Sequence, residues 1–401
     1  MKLFILLASL FLTLSTVSSS LQQYQAIFNF GDSLSDTGNY LLSSARPFPI
    51  NGKLPYGETF FHNATGRCSD GRLMVDFLVT EESGLPYLPP YLGLEKDQNV
   101  SHGVNFAVAG ATALDPEFFF RRKIGSSLTT NYSLSTQVAW FKKLKPSLCS
   151  TKQECDDYFQ NALFLVGEIG GNDYNYPFFV GRSIDQIIAA VPLVIKAIIE
   201  ATSALIEEGA VELVVPGNLP IGCSAMYLTF FKNSKKAFYD ETNGCLKAFN
   251  TFAEYHNSAL KRALWFLKLK YPHARIIYAD YFEAAMPMFV APQLNGFSRG
   301  SLTACCGGGG PYNFNISAWC GRVGSEACED PSLYANWDGI HLTEAAYRFI
   351  ANGLIHGNFT TPLELTSSAL IAIGLIHGNF TTPLELASSA VLQLGHLQSM
   401  D

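Results

Sequence analysis

The 401-residue sequence lacks a basic tract. Its longest run of Lys and Arg is Arg121-Arg122-Lys123, and the formal net charge is −7. A nucleic-acid-binding chain is expected to carry a basic face or stripe, so that class is excluded and no nucleic-acid partner is expected. The N-terminal apolar run, residues 3–14, falls short of the about 20 residues that a membrane span needs. Lys2 precedes it and small residues from Ser15 to Ser20 follow. That order of charged, apolar and small regions matches a secretory signal peptide, so residues 1–20 are set apart from fold reasoning and no membrane span is expected. The apolar terminal tail of a lipid-anchor signal is missing too, since the chain ends Gln398-Ser399-Met400-Asp401. Ligand spacing for zinc is absent: Cys305 and Cys306 are adjacent, and no His-x₃-His accompanies them. Gly307 to Gly310 lacks the following Lys and Ser/Thr of a phosphate loop. No metal and no cofactor is expected.

Nine cysteines are present, at Cys68, Cys149, Cys155, Cys223, Cys245, Cys305, Cys306, Cys320 and Cys328. In a secreted chain they are expected to form disulfides, and an odd count leaves at least one unpaired. Cys149 and Cys155 are close enough to close a small loop; the other pairings cannot be read from sequence. Six sequons, at Asn63, Asn99, Asn131, Asn315, Asn358 and Asn379, are candidate glycan sites. A secretory destination follows, either extracellular (apoplast) or vacuolar.

Five short apolar runs, at 26–30, 103–108, 162–166, 211–216 and 275–279, predict the buried strands of a parallel sheet. Helical spacing of apolar residues predicts helices over 184–208, 245–269 and 343–355. Strand alternating with helix indicates a doubly wound α/β domain. With no clean linker in view, residues 21–357 are assigned to one domain and 358–401 to a C-terminal extension. That extension holds a duplication: the thirteen residues 353–365 recur at 374–386, with Pro362 and Pro383 at matching places. Two copies do not make a solenoid, and the repeat is assigned no function.

The first strand runs into Gly31-Asp32-Ser33-Leu34-Ser35-Asp36. A serine just past a parallel strand sits where open α/β sheets place ligands, and Gly31 permits a sharp turn there. A helix starting at this point would add N–H groups for an oxyanion; a simple N-cap without chemistry is the competing reading. Near the other end, Asp338 stands three residues before His341. On a turn that carboxylate can accept from Nδ1–H and leave Nε2 free to take a serine proton. Gly110, after the second strand, and Asn172, after the third, can offer oxyanion donors, although each segment alone reads as a glycine-rich turn. Gly296-Phe297-Ser298-Arg299-Gly300 fits the G-x-S-x-G elbow, but the strand and helix which that motif requires are missing around it.

The blocks around Ser33, Gly110, Asn172 and the Asp338–His341 pair resemble, in order, those of the GDSL (SGNH) hydrolases. Residues 31–39, Asn218-Leu219-Pro220-Ile221-Gly222-Cys223 and residues 337–343 look like the plant GDSL esterase/lipases. The resemblance implies a flavodoxin-like three-layer α/β/α sandwich around a five-stranded parallel sheet, expected as a monomer. It implies Ser33 as nucleophile, His341 as base and Asp338 as its orienting acid. The Ser33 N–H, Gly110 and Asn172 would form the oxyanion hole. Relatives in the family include esterases of acetylated alkaloids and of phenolic choline esters, which implies a small specialised-metabolite ester as substrate. Tyr174 and Tyr176, just past Asn172, are candidates for the substrate pocket, with core or lid packing as their alternative role. Two other functional readings stay open: acyl transfer to an alcohol by the same residues, and a secreted binding or defence protein that keeps the fold without turnover.

Overall fold

The computed structural model describes residues 24–43 and 48–363. The signal-peptide segment, the second copy of the repeat and the Asn379 sequon lie outside the described residues. Five strands, β1 (Ala26–Phe30), β2 (Gly103–Asn105), β3 (Ala162–Val166), β4 (Glu212–Pro216) and β5 (Arg275–Ala279), pair in parallel in the order β2-β1-β3-β4-β5. A separate two-stranded parallel ladder joins β6 (Gly300–Ala304) to β7 (Tyr334–Asn336). A last strand, β8 (Thr360–Pro362), pairs antiparallel with β5 at the sheet edge.

Side chains alternate across a strand, and here both faces are covered. Phe28, Phe164, Leu213 and Ile276 enter one apolar cluster with the helices Leu134–Leu144, Val191–Glu207 and Lys247–Lys270. Ile27, Leu163, Leu165 and Ala279 enter another with the helices Tyr281–Val290 and Glu344–His356. Burial on both faces is why the strands read as continuous apolar runs rather than as alternation. The result is an α/β/α sandwich.

Three details differ from expectation. The sheet has six strands, and the sixth comes from the first copy of the repeat: Leu363 N–H donates to Ile276 O and Asp280 N–H to Phe359 O. The sheet therefore takes its edge strand and its last hydrogen bond, at Leu363, from beyond residue 357. Pro362, which lacks an N–H, is tolerated because β8 is an edge strand. The long helix over 184–208 is broken into Ile184–Ile187, a 3₁₀ turn and Val191–Glu207; Pro192 suits a helix's first turn and so restarts it. That stretch is apolar and long enough to cross a membrane, yet Val191, Val194, Ile198 and Leu205 pack it into the core. Finally, β2 stops at Asn105, whose side-chain amide turns inward to bond Ser35 O and Asn29.

Candidate active site

At the end of β1 the chain turns sharply. Gly31 has φ +149°, and a Cβ there would meet the Glu168 carbonyl oxygen at 2.8 Å, so only glycine fits. Gln137, buried in a helix on the sheet, donates to Gly31 O and accepts from Gly31 N–H, both at 2.8 Å. Ser33 lies in the following turn, which Ser35 N–H closes onto Asp32 O at 3.2 Å. No helix starts at Ser33; the nearest begins at Asn39 and spans four residues, so its dipole adds nothing to an oxyanion site. Among the described residues, the backbone N–H groups of Ser33 and Gly110 have no hydrogen-bond partner.

Buried carboxylates stitch this turn to its neighbours. Asp36 accepts from the N–H groups of Gly38, Asn39, Tyr40 and Ala109, and burial pushes it up to about 6. Asp173 accepts from Ala113 and Leu114 N–H, and burial raises it to about 7. Gly110 follows at φ +82°, its carbonyl bonded by Tyr176 Oη at 2.7 Å. Asn172 sits in the first turn of the helix Gly171–Phe179. Its Nδ2 donates to Asp32 Oδ2 and to Ala111 O, both at 3.0 Å, so both of its N–H groups are already engaged.

Beneath Ser33 lies an acid pair that sequence reading did not find. Burial raises Asp32 to about 7, and burial together with the Asp32 charge holds Glu168 well above the usual carboxylate range. Both causes favour the protonated form of Glu168, which hydrogen-bonds Asp32.

On the opposite wall, Asp338 and His341 fold onto one turn. Asp338 Oδ1 accepts from the His341 backbone N–H at 2.9 Å and Oδ2 meets His341 Nδ1 at 2.7 Å. Tyr56 Oη donates to the same Oδ2 at 2.7 Å. Burial alone would favour the neutral imidazole, but the Asp338 carboxylate and the Cys68 side chain beside the ring outweigh it and raise His341 well above its ordinary value. Burial would likewise raise Asp338, and the His341 charge and hydrogen bonds lower it instead. No hydrogen bond joins the Ser33 hydroxyl to His341 in this conformation.

Ser33, Gly110, Asn172, Tyr176, Asp338 and His341 all line one cavity of about 580 Å³. Tyr174 does not: it is 1% exposed, packs on Phe252 and bonds His256 Nδ1 at 2.7 Å. Residues 171, 172, 175, 176 and 179 line the cavity from that helix, the spacing of one helical face, so helical periodicity was the signal that separates Tyr176 from Tyr174. Tyr56, Cys68, Glu168 and Arg322 also line it; all four lie outside the recognised blocks or carry no pattern of their own. Ser298 is exposed in a loop and does not reach the cavity.

The cysteines pair as Cys149–Cys155, Cys223–Cys245, Cys305–Cys328 and Cys306–Cys320, and Cys68 is the free thiol. Asn63, Asn99, Asn131, Asn315 and Asn358 are exposed.

The profile of the GDSL-like lipase/acylhydrolase family matches residues 27–354. A GDSL esterase/lipase of Arabidopsis thaliana is 58% identical over 344 residues, covering 85% of this chain and 92% of the relative. A second Arabidopsis thaliana GDSL esterase/lipase is 48% identical over 358 residues, 89% of this chain and 90% of its own. The sinapine esterase of Brassica napus is 49% identical over 347 residues, 86% of this chain and 88% of its own.

Proposed function

We propose that Ser33 carries the acyl group in this chain, which belongs to the GDSL-like lipase/acylhydrolase family and is a carboxylic ester hydrolase. In this reading Ser33 Oγ attacks the ester carbonyl while His341 Nε2 takes its proton. Asp338 holds the imidazole in the right tautomer and stabilises the imidazolium. The oxyanion meets the unpartnered N–H groups of Ser33 and Gly110, with Asn172 turning one N–H from Asp32 or Ala111 toward it. His341 then protonates the leaving alcohol, and water hydrolyses the acyl-enzyme.

The observation that carries this reading is the convergence of Ser33 and the Asp338–His341 pair, some three hundred residues apart in sequence, on one cavity. The cavity volume suits a small molecule, and Tyr40, Phe48, Tyr227, Phe230 and Trp319 among its walls suit a ring-bearing ester. A small plant specialised-metabolite ester, phenolic or acetylated, is the proposed substrate, and the sinapine esterase relative supports the phenolic choice. The four disulfides fit a protein of the secretory pathway; an apoplastic or vacuolar destination and glycans on the exposed sequons belong to the same proposal. The test is Ser33→Ala, expected to abolish cleavage of a short p-nitrophenyl ester while circular dichroism shows an intact fold. Full activity in that variant removes Ser33 from the mechanism.

A further inference from the structure

The cavity carries one cation without an acidic partner. Arg322 lines it beside Ile316 and Trp319, on the loop that the Cys306–Cys320 disulfide pins at its base. Among the described residues Arg322 makes no salt bridge. Its guanidinium donates only to Ile316 O, at 3.3 Å, a fraction of the five donors that an arginine offers. Its charge is felt inside the site, at Tyr56, whose hydroxyl bonds Asp338.

The cavity's own acids do not neutralise it. Asp338 is committed to His341 and Tyr56. Asp32 and Glu168 are held by each other and by Asn172. The same cavity presents the apolar or aromatic side chains of Phe48, Ile50, Tyr56 and Trp319. Arg322 is itself exposed at the cavity rim, where water screens its charge; what it adds is direction, since guanidinium geometry matches a carboxylate in bidentate fashion.

We infer that Arg322 is a specificity-determining residue, and that the preferred substrate is an aromatic ester that also bears a carboxylate on its acid or alcohol half. An aromatic-walled cavity by itself would also accept a quaternary ammonium through cation–π contact; the unpaired guanidinium opposes that choice by like-charge repulsion. This inference rests on the ester-hydrolase reading of the same cavity.

The experiment uses the secreted, disulfide-intact protein at low ionic strength and two matched series. One comprises coumaroyl esters of glycolate, ethanol and choline; the other comprises the hemisuccinate and butyrate esters of p-nitrophenol. In at least one series the anionic ester is expected to lead by about three- to fivefold in kcat/KM, the factor that an exposed ion pair supports. Arg322→Gln is expected to abolish that lead through KM, and Arg322→Lys to keep part of it. A wild-type preference for the choline ester, or an anionic preference unchanged in Arg322→Gln, overturns the inference. Calorimetric binding of the glycolate and hemisuccinate esters to Ser33→Ala, with and without Arg322→Gln, gives the same answer without turnover. Absence of hydrolysis of every ester counts against the reaction instead, and binding that ignores Arg322 counts against the specificity claim.

Discussion

The two walls of the active site are built by different means. The nucleophile wall, residues 31–37, 105–112 and 167–173, hangs from the ends of three neighbouring strands, β1, β2 and β3. Sheet register already fixes those ends, and buried polar groups finish the alignment: Asp36 reaches Ala109, Asp173 reaches Ala113 and Leu114, and Gln137 clamps Gly31. The base wall, residues 300–343, leaves the main sheet and keeps only the short β6–β7 ladder. Two disulfides, Cys305–Cys328 and Cys306–Cys320, close it, and Cys305 and Cys306 N–H groups bond Asn336 and Trp337 just before Asp338. Where a segment inherits order from a sheet, hydrogen bonds suffice; where it makes a long excursion, covalent closure limits the loop's freedom.

Breaking the nucleophile wall at Asn172 is expected to have the larger effect. Loss of one oxyanion donor lowers kcat by about 10²–10³-fold in a well-aligned site. The Asn172 amide must release Asp32 or Ala111 before it can donate, so Asn172→Ala is expected to lower kcat by at least about tenfold, short of that range, with KM nearly constant. Steady-state kinetics on a p-nitrophenyl ester decide it. A change confined to KM would make Asn172 a substrate-binding residue and leave the oxyanion to Ser33 and Gly110.

Opening the base wall tests the other side of the comparison. Cys306→Ser with Cys320→Ser is expected to reduce kcat/KM by about tenfold through loss of alignment and to lower stability by about 2–4 kcal/mol. Removing Cys149–Cys155, which packs in the core cluster away from the cavity, is expected to lower the melting temperature with activity retained. Equal activity loss from both pairs would show that the base wall owes no special alignment to its crosslinks.

The same contrast explains what was legible in the sequence. β1, β3 and β5 stand at the bounds read from their apolar runs, because two-sided burial writes an unbroken signal. Ser33, Gly110 and Asn172 follow β1, β2 and β3, so their places past strand ends were legible, whereas the adjacency of those three strands came only with the sheet order. Asp338 and His341 were legible only as a short-range pair; nothing in the excursion's composition reveals that it folds over Ser33. Tyr56, Cys68 and Arg322 reach the cavity from loops, where no periodicity marks which side chain turns inward. The β8 strand escaped because three residues of Thr-Thr-Pro character carry too little apolar pattern, and their pairing is with β5, some eighty residues earlier.

The smallest expected effect concerns the junction between the walls. His341 can accept the Ser33 proton only when its imidazole is neutral. Asp338, together with Cys68 beside the ring, raises the folded value of His341, so activity is expected to be full above that raised value and to fall as pH drops through it. The acid limb of kcat/KM should therefore lie above the ordinary imidazole value of about 6.5. Tyr56 donates to the very oxygen that holds Nδ1; without it the carboxylate has more charge for the imidazolium. Tyr56→Phe is then expected to move the limb upward by a fraction of a unit, with little change in the plateau rate. The Asp32–Glu168 pair titrates nearby, with Asp32 at about 7, so the limb belongs to coupled groups and its direction of movement, rather than its midpoint, is the diagnostic. A limb at or below the ordinary value, or a downward shift in Tyr56→Phe, would mean that the Asp338 field does not govern the base.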